Sequence, residues 1–340
     1  MSLGPLMIGI EGLTLTGEER RRLRDPAVGG VILFRRNFAD ADQLAALTAD
    51  IRSLRAPPLL VATDHEGGRV QRFTDGFTRL PAQRGLGRLW QREPAEAEAI
   101  AEQLGWLGAA ELLGAGVDLG LGPVVDIDHG LSTVIGDRAL ADTPRAVTAL
   151  SAALVRGMRR AGMAAVAKHF PGHGGVRLDS HEALPEDPRD SRDLHDADLV
   201  PFRRLIMNGL EAVMMAHIVF PAEDRLPASL SRHWIGTILR GRLGFQGAVI
   251  SDDLSMAGAA VAGGLRERVR TALGAGSDMV IIGNEGRAVD AVLPDWHGGA
   301  DAAAALRRAR LHGRHAPALK DLHASRDWRR AREAAALLER

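Results

Sequence analysis

Short apolar runs recur along the chain, each bounded by Gly or Pro and each followed by a longer helical stretch. The runs are Leu6–Ile10, Gly30–Phe34, Leu59–Asp64, Leu121–Asp126, Ala164–His169, Ala212–His217, Ala248–Asp252 and Met279–Gly283. Unbroken apolar runs of about five residues fit strands buried on both faces of a parallel sheet. Between them the pattern predicts helices over Gly17–Leu23, Ala41–Leu54, Ala95–Leu113, Pro144–Ala161, Asp198–Asn208, Arg232–Leu243, Leu265–Ala275 and Gly286–Leu293. Some ends are marked: Pro144 stands in a first helical turn after Thr143, and Gly162 follows the last turn of the same helix. Eight strands alternating with helices predict an α/β fold, a (β/α)8 TIM-type barrel. An open doubly wound sheet is the alternative, but no glycine-rich phosphate loop follows the first strand.

Composition narrows the partners. The chain has 340 residues, 46% of them hydrophobic and 25% charged, which excludes a disordered or collagen-like protein. Forty-three basic residues balance 43 acidic ones, so no global field favours nucleic acid or an anionic membrane. Without Cys there is no disulfide, no thiol nucleophile and no Cys-based metal site. No run of eighteen apolar residues exists, so no membrane span is expected. The start from Met1 to Glu11 lacks a basic leader and reads as a first strand, which makes the cytoplasm the expected location. No Ser/Gly linker, charge block or repeat divides the chain. The expectation is therefore one monomeric domain over 1–340, with closing helices over about 295–340.

Polar residues collect where the strands end, which in a barrel is the face that carries chemistry. Strand three runs into Asp64-His65-Glu66-Gly67-Gly68-Arg69-Val70-Gln71-Arg72, and strand four into Asp126-Ile127-Asp128 with Gly136-Asp137-Arg138 beyond. Strand five ends in Lys168-His169 and continues through Phe170-Pro171-Gly172-His173-Gly174-Gly175 to Asp179-Ser180-His181. Strand six ends in His217 and strand seven in Ser251-Asp252-Asp253. A lone strand-end Asp reads first as a helix cap. Polar ends on five consecutive strands point instead to a site.

Carboxylates can act there as nucleophile or base, His can carry a proton near neutral pH, and Arg and Lys can hold hydroxyls or anions. No Ser stands in a Gly-x-Ser-x-Gly elbow, so a serine hydrolase has no support. Two classes remain: a glycoside hydrolase with an Asp nucleophile, and a metal-dependent hydrolase using His, Lys and Asp. Against metal, the first strand has no His-x-His pair, although His169, His173 and His181 could cluster.

Three segments in order resemble the β-N-acetylhexosaminidases of glycoside hydrolase family 3, in their short single-domain bacterial form. They are Glu66-Gly67-Gly68-Arg69-Val70-Gln71-Arg72-Phe73, Lys168-His169-Phe170-Pro171-Gly172-His173-Gly174 with Asp179-Ser180-His181, and Ser251-Asp252-Asp253-Leu254-Ser255-Met256. The segments around Gly29–Phe34 and Ala216-His217 also fit, and the likeness fades in the last fifty residues. The resemblance implies a retaining exo-acting β-N-acetylglucosaminidase without metal or cofactor. It implies Asp252 as nucleophile, His181 as acid/base with Asp179 as its partner, and Asp64, Arg72, Arg138, Lys168 and His169 as sugar-binding residues. His173 and His217 are further candidates, for the loop and for support of the site. The implied substrate is a small carbohydrate, N-acetylglucosamine linked to anhydro-N-acetylmuramic acid with or without peptide, in cell-wall recycling. A broad β-glucosidase or a phosphorylase on the same site is the alternative. His65 departs from the family's usual Gln and should point away from Asp64.

These assignments make chemical sense. Retention takes two displacements, with a carboxylate on a rigid support attacking the anomeric carbon. Neighbouring strand residues face opposite ways, so only one of Asp252 and Asp253 can face the barrel axis, and Asp253 then suits a cap. A carboxylate beside an imidazole favours the imidazolium, so Asp179 would help His181 to donate a proton. The Pro171–Gly175 stretch predicts a mobile loop that closes when sugar is bound.

Overall fold

The alternation of apolar runs and helices resolves into eight parallel strands. They are β1 (Leu6–Gly9), β2 (Val28–Leu33), β3 (Leu60–Thr63), β4 (Leu119–Gly120), β5 (Val166–Phe170), β6 (Ala212–Met215), β7 (Ala248–Asp253) and β8 (Met279–Ile282). The structure is a computed structural model and describes residues 2–178, 180, 183–295, 301–314 and 316–338. Strand order in the sheet is β4-β3-β2-β1-β8-β7-β6-β5, which is the sequential order of a barrel cut open between β4 and β5. A single parallel bridge, Val124 to Lys168, spans that cut, with Val166 N–H donating to Gly122 O at 2.7 Å and Val125 N–H to Lys168 O at 2.7 Å. The expected fourth strand, Leu121–Asp126, therefore forms no continuous ladder. Pro123 has no N–H to donate, so the run meets its neighbour by scattered bonds.

The period of two sorts each strand into an inner and an outer row. Met7, Ile32, Leu60, Ala62, Val166, Met214, Ile250 and Ile281 pack together inside the barrel. Ile8, Val31, Val61, Ala167, Val213, Val249 and Val280 belong to the outer layer, against the helices. Two of those helices, Pro94–Gly114 and Pro144–Ala161, touch backbone to backbone: a Cβ on Gly105 would overlap the carbonyl of Leu154, and one on Gly157 the carbonyl of Glu102. The expected ends hold for the second of these. The Thr143 side chain accepts from Ala146 N–H, and Gly162 closes the helix at φ +98°.

The floor of the barrel is fixed by a repeated device. A carboxylate directly before each of β4, β6 and β8 accepts an N–H at the start of the strand one position earlier. Asp118 takes Val61 N–H at 2.9 Å, Glu211 takes Ala165 N–H at 3.3 Å, and Asp278 takes Val249 N–H at 2.8 Å. Each carboxylate is met by an arginine from the helix that leads into that earlier strand: Arg52, Arg159 and Arg240, at 2.8, 2.7 and 2.7 Å. Satisfying these buried strand N–H groups holds the strands in register at the end opposite the polar strand ends.

Some elements differ from expectation. Arg232–Leu243 adopts wider π-type hydrogen bonding over His233–Arg242. Gly286–Leu293 gives only the 3₁₀ turns Ala288–Ala291 and Leu293–Asp295. A helix at Arg84–Trp90 and a hairpin pairing His65–Gly67 with Val70–Gln71 were not anticipated. The closing segment forms helices Ala302–Ala309, Leu319–Ala324 and Arg326–Ala336. Arg308 ties it to the floor through Leu3 O and Asp278 O, and Trp328 Nε1 donates to Glu111 at 2.7 Å. Among the described residues, no helix is long and apolar enough to cross a membrane.

Candidate active site

The carboxyl ends of the strands surround a cavity of about 440 Å³ whose wall includes Asp64, Arg72, Arg138, Lys168, His169 and Asp252. Strand periodicity explains much of this. Asp64 lies two residues beyond Ala62, Lys168 two beyond Val166 and Asp252 two beyond Ile250, so each continues an inner row.

Lys168 sits at the centre of the polar wall. Its Nζ is 2.7 Å from Asp64 and 2.7 Å from Glu66, with only 2% of the side chain exposed. Arg138 forks onto Glu66 at 2.8 and 2.9 Å, and Arg72 reaches Asp64 at 3.1 Å. Three cations thus face two carboxylates along one connected chain. Burial alone would push both carboxyls up, but Lys168 with Arg72 at Asp64, and with Arg138 at Glu66, holds each well below its usual range. The same two carboxylates raise Lys168 above its ordinary value against the opposing effect of burial. Asp64, Glu66, Lys168 and Arg138 are therefore charged at neutral pH. Glu66, fully engaged by these cations, is unsuited to deliver a proton.

Asp126, on the irregular fourth run, organises the next part of the wall. It accepts from the His169 backbone N–H at 3.2 Å, the His173 backbone N–H at 2.7 Å and the His169 ring at 2.7 Å. Burial opposes its charge, but His169 and the His173 N–H outweigh that and keep it ionised. An ionised carboxylate only accepts, so His169 donates from Nδ1 and turns Nε2 the other way. His173 borders the cavity and meets Ser180 Oγ at 3.0 Å. Burial, assisted by His169, pushes His173 down to about 4, so it is neutral at physiological pH.

The two neighbouring aspartates at the end of β7 both border the cavity but are held differently. Asp253 Oδ1 accepts from Ser255 N–H, Ser255 Oγ and Gly283 N–H, at 2.9, 2.7 and 2.9 Å. It fixes the turns after β7 and β8, and no α-helix starts at Leu254: a 3₁₀ helix follows at Ala257–Ala262. Asp252 carries its carboxylate on the inner row. His217 is fully buried outside the cavity wall, between Ser229 Oγ at 2.6 Å and the Asp253 carbonyl at 3.0 Å. Asp179 and His181 lie outside the described residues; Ser180 between them is buried in the cavity wall.

His65 points away from Asp64, into a layer with Phe73 and Phe77 at 5.8 Å from each ring. Burial and nearby Arg72 push it down to about 3, so it is an uncharged core group. Glu66 and Asp126 were not expected among the organising groups. Both stood in the polar strand-end segments, but only the tertiary pairing shows what they hold. Among the described residues, no three His, Asp or Glu side chains converge as a metal-ligand group.

A β/α barrel with carboxylates and cations gathered around a cavity at the carboxyl ends of its strands is a barrel enzyme with its site at the expected face. The chain belongs to glycosyl hydrolase family 3: the model of that family's N-terminal domain matches residues 7–303. It is accordingly a glycoside hydrolase. It is 56% identical over 317 residues to a β-hexosaminidase of Alkalilimnicola ehrlichii, covering 92% of this chain and 90% of that one. Among solved structures, it resembles NagZ from Neisseria gonorrhoeae in complex with N-trifluoroacetyl-D-glucosamine. The TM-score is 0.94 at 43% identity, covering 100% of this chain and 99% of that one. A family 3 β-N-acetylglucosaminidase from Paenibacillus matches with a TM-score of 0.84 at 32% identity, covering 98% of this chain and 66% of that one.

Proposed function

We propose that the protein is a retaining exo-acting β-N-acetylglucosaminidase, with residues 1–340 working as one monomeric catalytic barrel. The observation that carries this reading is the placement of Asp252 on the inner row of β7, bordering the same cavity as the Asp64–Lys168–Arg72 group. Family membership and the names of the similar proteins supply the sugar: relatives called β-hexosaminidase, and a structure bound to an N-acylated glucosamine.

In this reading Asp252 attacks the anomeric carbon while His181 protonates the departing glycosidic oxygen. Water then attacks the covalent glycosyl-enzyme, His181 takes its proton, and Asp252 leaves with its electron pair. Asp179 stabilises the imidazolium formed in the second step. Asp64 accepts from sugar hydroxyls; Arg72, Arg138 and Lys168 donate to them, and His169 presents a fixed imidazole. His173 supports the Ser180 turn, and His217 supports the backbone at Asp253. The substrate is N-acetylglucosamine β-linked to anhydro-N-acetylmuramic acid, with or without peptide, in cytoplasmic recycling of cell-wall fragments.

The test is hydrolysis of a nitrophenyl N-acetyl-β-glucosaminide beside the matching β-glucoside. A strong preference for the first, with the β-anomer of the free sugar formed first, is expected. Equal rates on both would replace the reading with a broad β-glucosidase, and a sugar phosphate formed only with phosphate present would replace hydrolysis with phosphorolysis.

A further inference from the structure

Outside the cavity wall, one ion-pair cluster joins the two ends of the segment that carries Asp179, Ser180 and His181. The Arg189 guanidinium makes two forks at once. Nε and Nη2 meet Asp187 at 2.9 and 2.6 Å, while Nη1 and Nη2 meet Asp198 at 2.7 and 3.3 Å. Both carboxylates are buried, at 0% and 1% exposure. His129, on the loop after β4, completes the group with Nε2 3.0 Å from Asp198 and 3.0 Å from Arg189.

The glycines of the Pro171–Gly175 stretch close onto this same cluster. A Cβ on Gly172 would come within 2.8 Å of Asp198 Oδ1, and one on Gly175 would overlap the Arg189 guanidinium and the Asp187 carboxylate. At the other end, Asp187 N–H donates to Val219 O at 2.9 Å, next to Val219 N–H donating to Pro185 O at 3.0 Å. One guanidinium therefore clamps both the start and the finish of the segment. Between them, Ser180 is held through His173 and by Gly258 N–H donating to its carbonyl at 2.9 Å. None of Arg189, Asp187, Asp198 and His129 borders the cavity.

We propose that Arg189 is a positioning residue for the acid/base step: its double fork fixes the ends of the Gly172–Asp187 segment and so sets the reach of the proton donor. This rests on the reading of His181 as acid/base. A proton donor must come within hydrogen-bond reach of the leaving oxygen, so the requirement on its support is strict. Burial works against the charge of Arg189, and its bonds to Asp187 and Asp198 hold it charged in spite of that.

The experiment compares Arg189→Gln, Arg189→Lys, Gly175→Ala and His181→Ala on two substrates. One is the disaccharide of N-acetylglucosamine and anhydro-N-acetylmuramic acid; the other is the dinitrophenyl glycoside, whose leaving group departs without a proton. Arg189→Gln strands two buried carboxylates, so Gly175→Ala, which displaces the clamp without deleting a charge, decides the matter if the first variant does not fold. Both should lower kcat/KM on the disaccharide by about 100-fold, as expected for a reacting group misplaced by roughly 1 Å, with a much smaller change in kcat/KM on the dinitrophenyl glycoside, since that ratio reports the first displacement alone. Arg189→Lys should recover part of the loss, because an ammonium keeps the charge but not the two forks. Equal losses on both substrates, or none, in folded variants overturn the proposal while a discriminating His181→Ala leaves the acid/base reading standing. If His181→Ala itself does not discriminate, the acid/base reading fails and this inference fails with it.

Discussion

Replacing Lys168 by Met removes the cation at the centre of the polar wall and keeps an unbranched side chain of similar length. The two carboxylates it bridges at 2.7 Å are left with one arginine each, Arg72 for Asp64 and Arg138 for Glu66. Breaking a buried pair by removing one partner costs about 3–5 kcal/mol, and the surviving arginines place this case near about 3 kcal/mol. At about 2 °C per kcal/mol in a chain of this size, the melting temperature should fall by about 6 °C near neutral pH. The sign of the pH dependence follows from the carboxyls. Both are held low in the folded protein, so they contribute stability above their unfolded values that is lost as pH falls through the folded ones. Without Lys168 their folded values rise. The deficit of the variant should therefore be full at neutral pH and shrink as the solution is acidified through those raised values. Thermal unfolding followed by circular dichroism at both ends of that range measures it, and kcat/KM at neutral pH should fall through a raised KM. An unchanged melting temperature, or a deficit that stays constant on acidification, would refute the electrostatic account of the wall.

His181→Ala should slow the natural disaccharide far more than an activated aryl glycoside, and should give a burst of aglycone on the aryl substrate as the glycosyl-enzyme accumulates. Equal damage to both without a burst would leave His181 no role in proton transfer. Exhaustive chelation should leave kcat/KM unchanged, because the proposed chemistry uses a carboxylate and an imidazole directly; activity lost on chelation and restored by Zn²⁺ or Mn²⁺ would move the site to metal-assisted hydrolysis.

The strands were legible because each is a short apolar run buried on both faces, and the polar residues after them marked the functional end of the barrel. Periodicity alone does not separate Asp252 from Asp253: the register shifts between Ile250 and Asp253, both border the cavity, and it is the bonds from Ser255 and Gly283 that single out Asp253 as the residue holding the turns. The fourth run was less legible: Pro123 removes a ladder bond and leaves only a bridge at Val124, so an apolar stretch did not become a full strand. What chain order could not show was pairing at a distance. Glu66 looked like one polar residue among several, yet it holds Lys168 and Arg138, which stand far along the chain. Asp126 likewise gains its meaning only when His169 and His173 arrive beside it. The clamp at Arg189 depends on Asp198, on a different element, and on glycines whose missing side chains make room for it.

The central claim is that Asp252 forms the covalent bond to the sugar. A fluorinated N-acetylglucosaminyl fluoride that glycosylates faster than it deglycosylates would trap that bond, and peptide mass spectrometry would locate it. The account predicts one sugar per chain, carried on Asp252, with Asp252→Asn unlabelled and inactive and Asp253→Asn still labelled. A label on Asp253 or Asp64, or steady turnover of the natural substrate by Asp252→Asn, would contradict it.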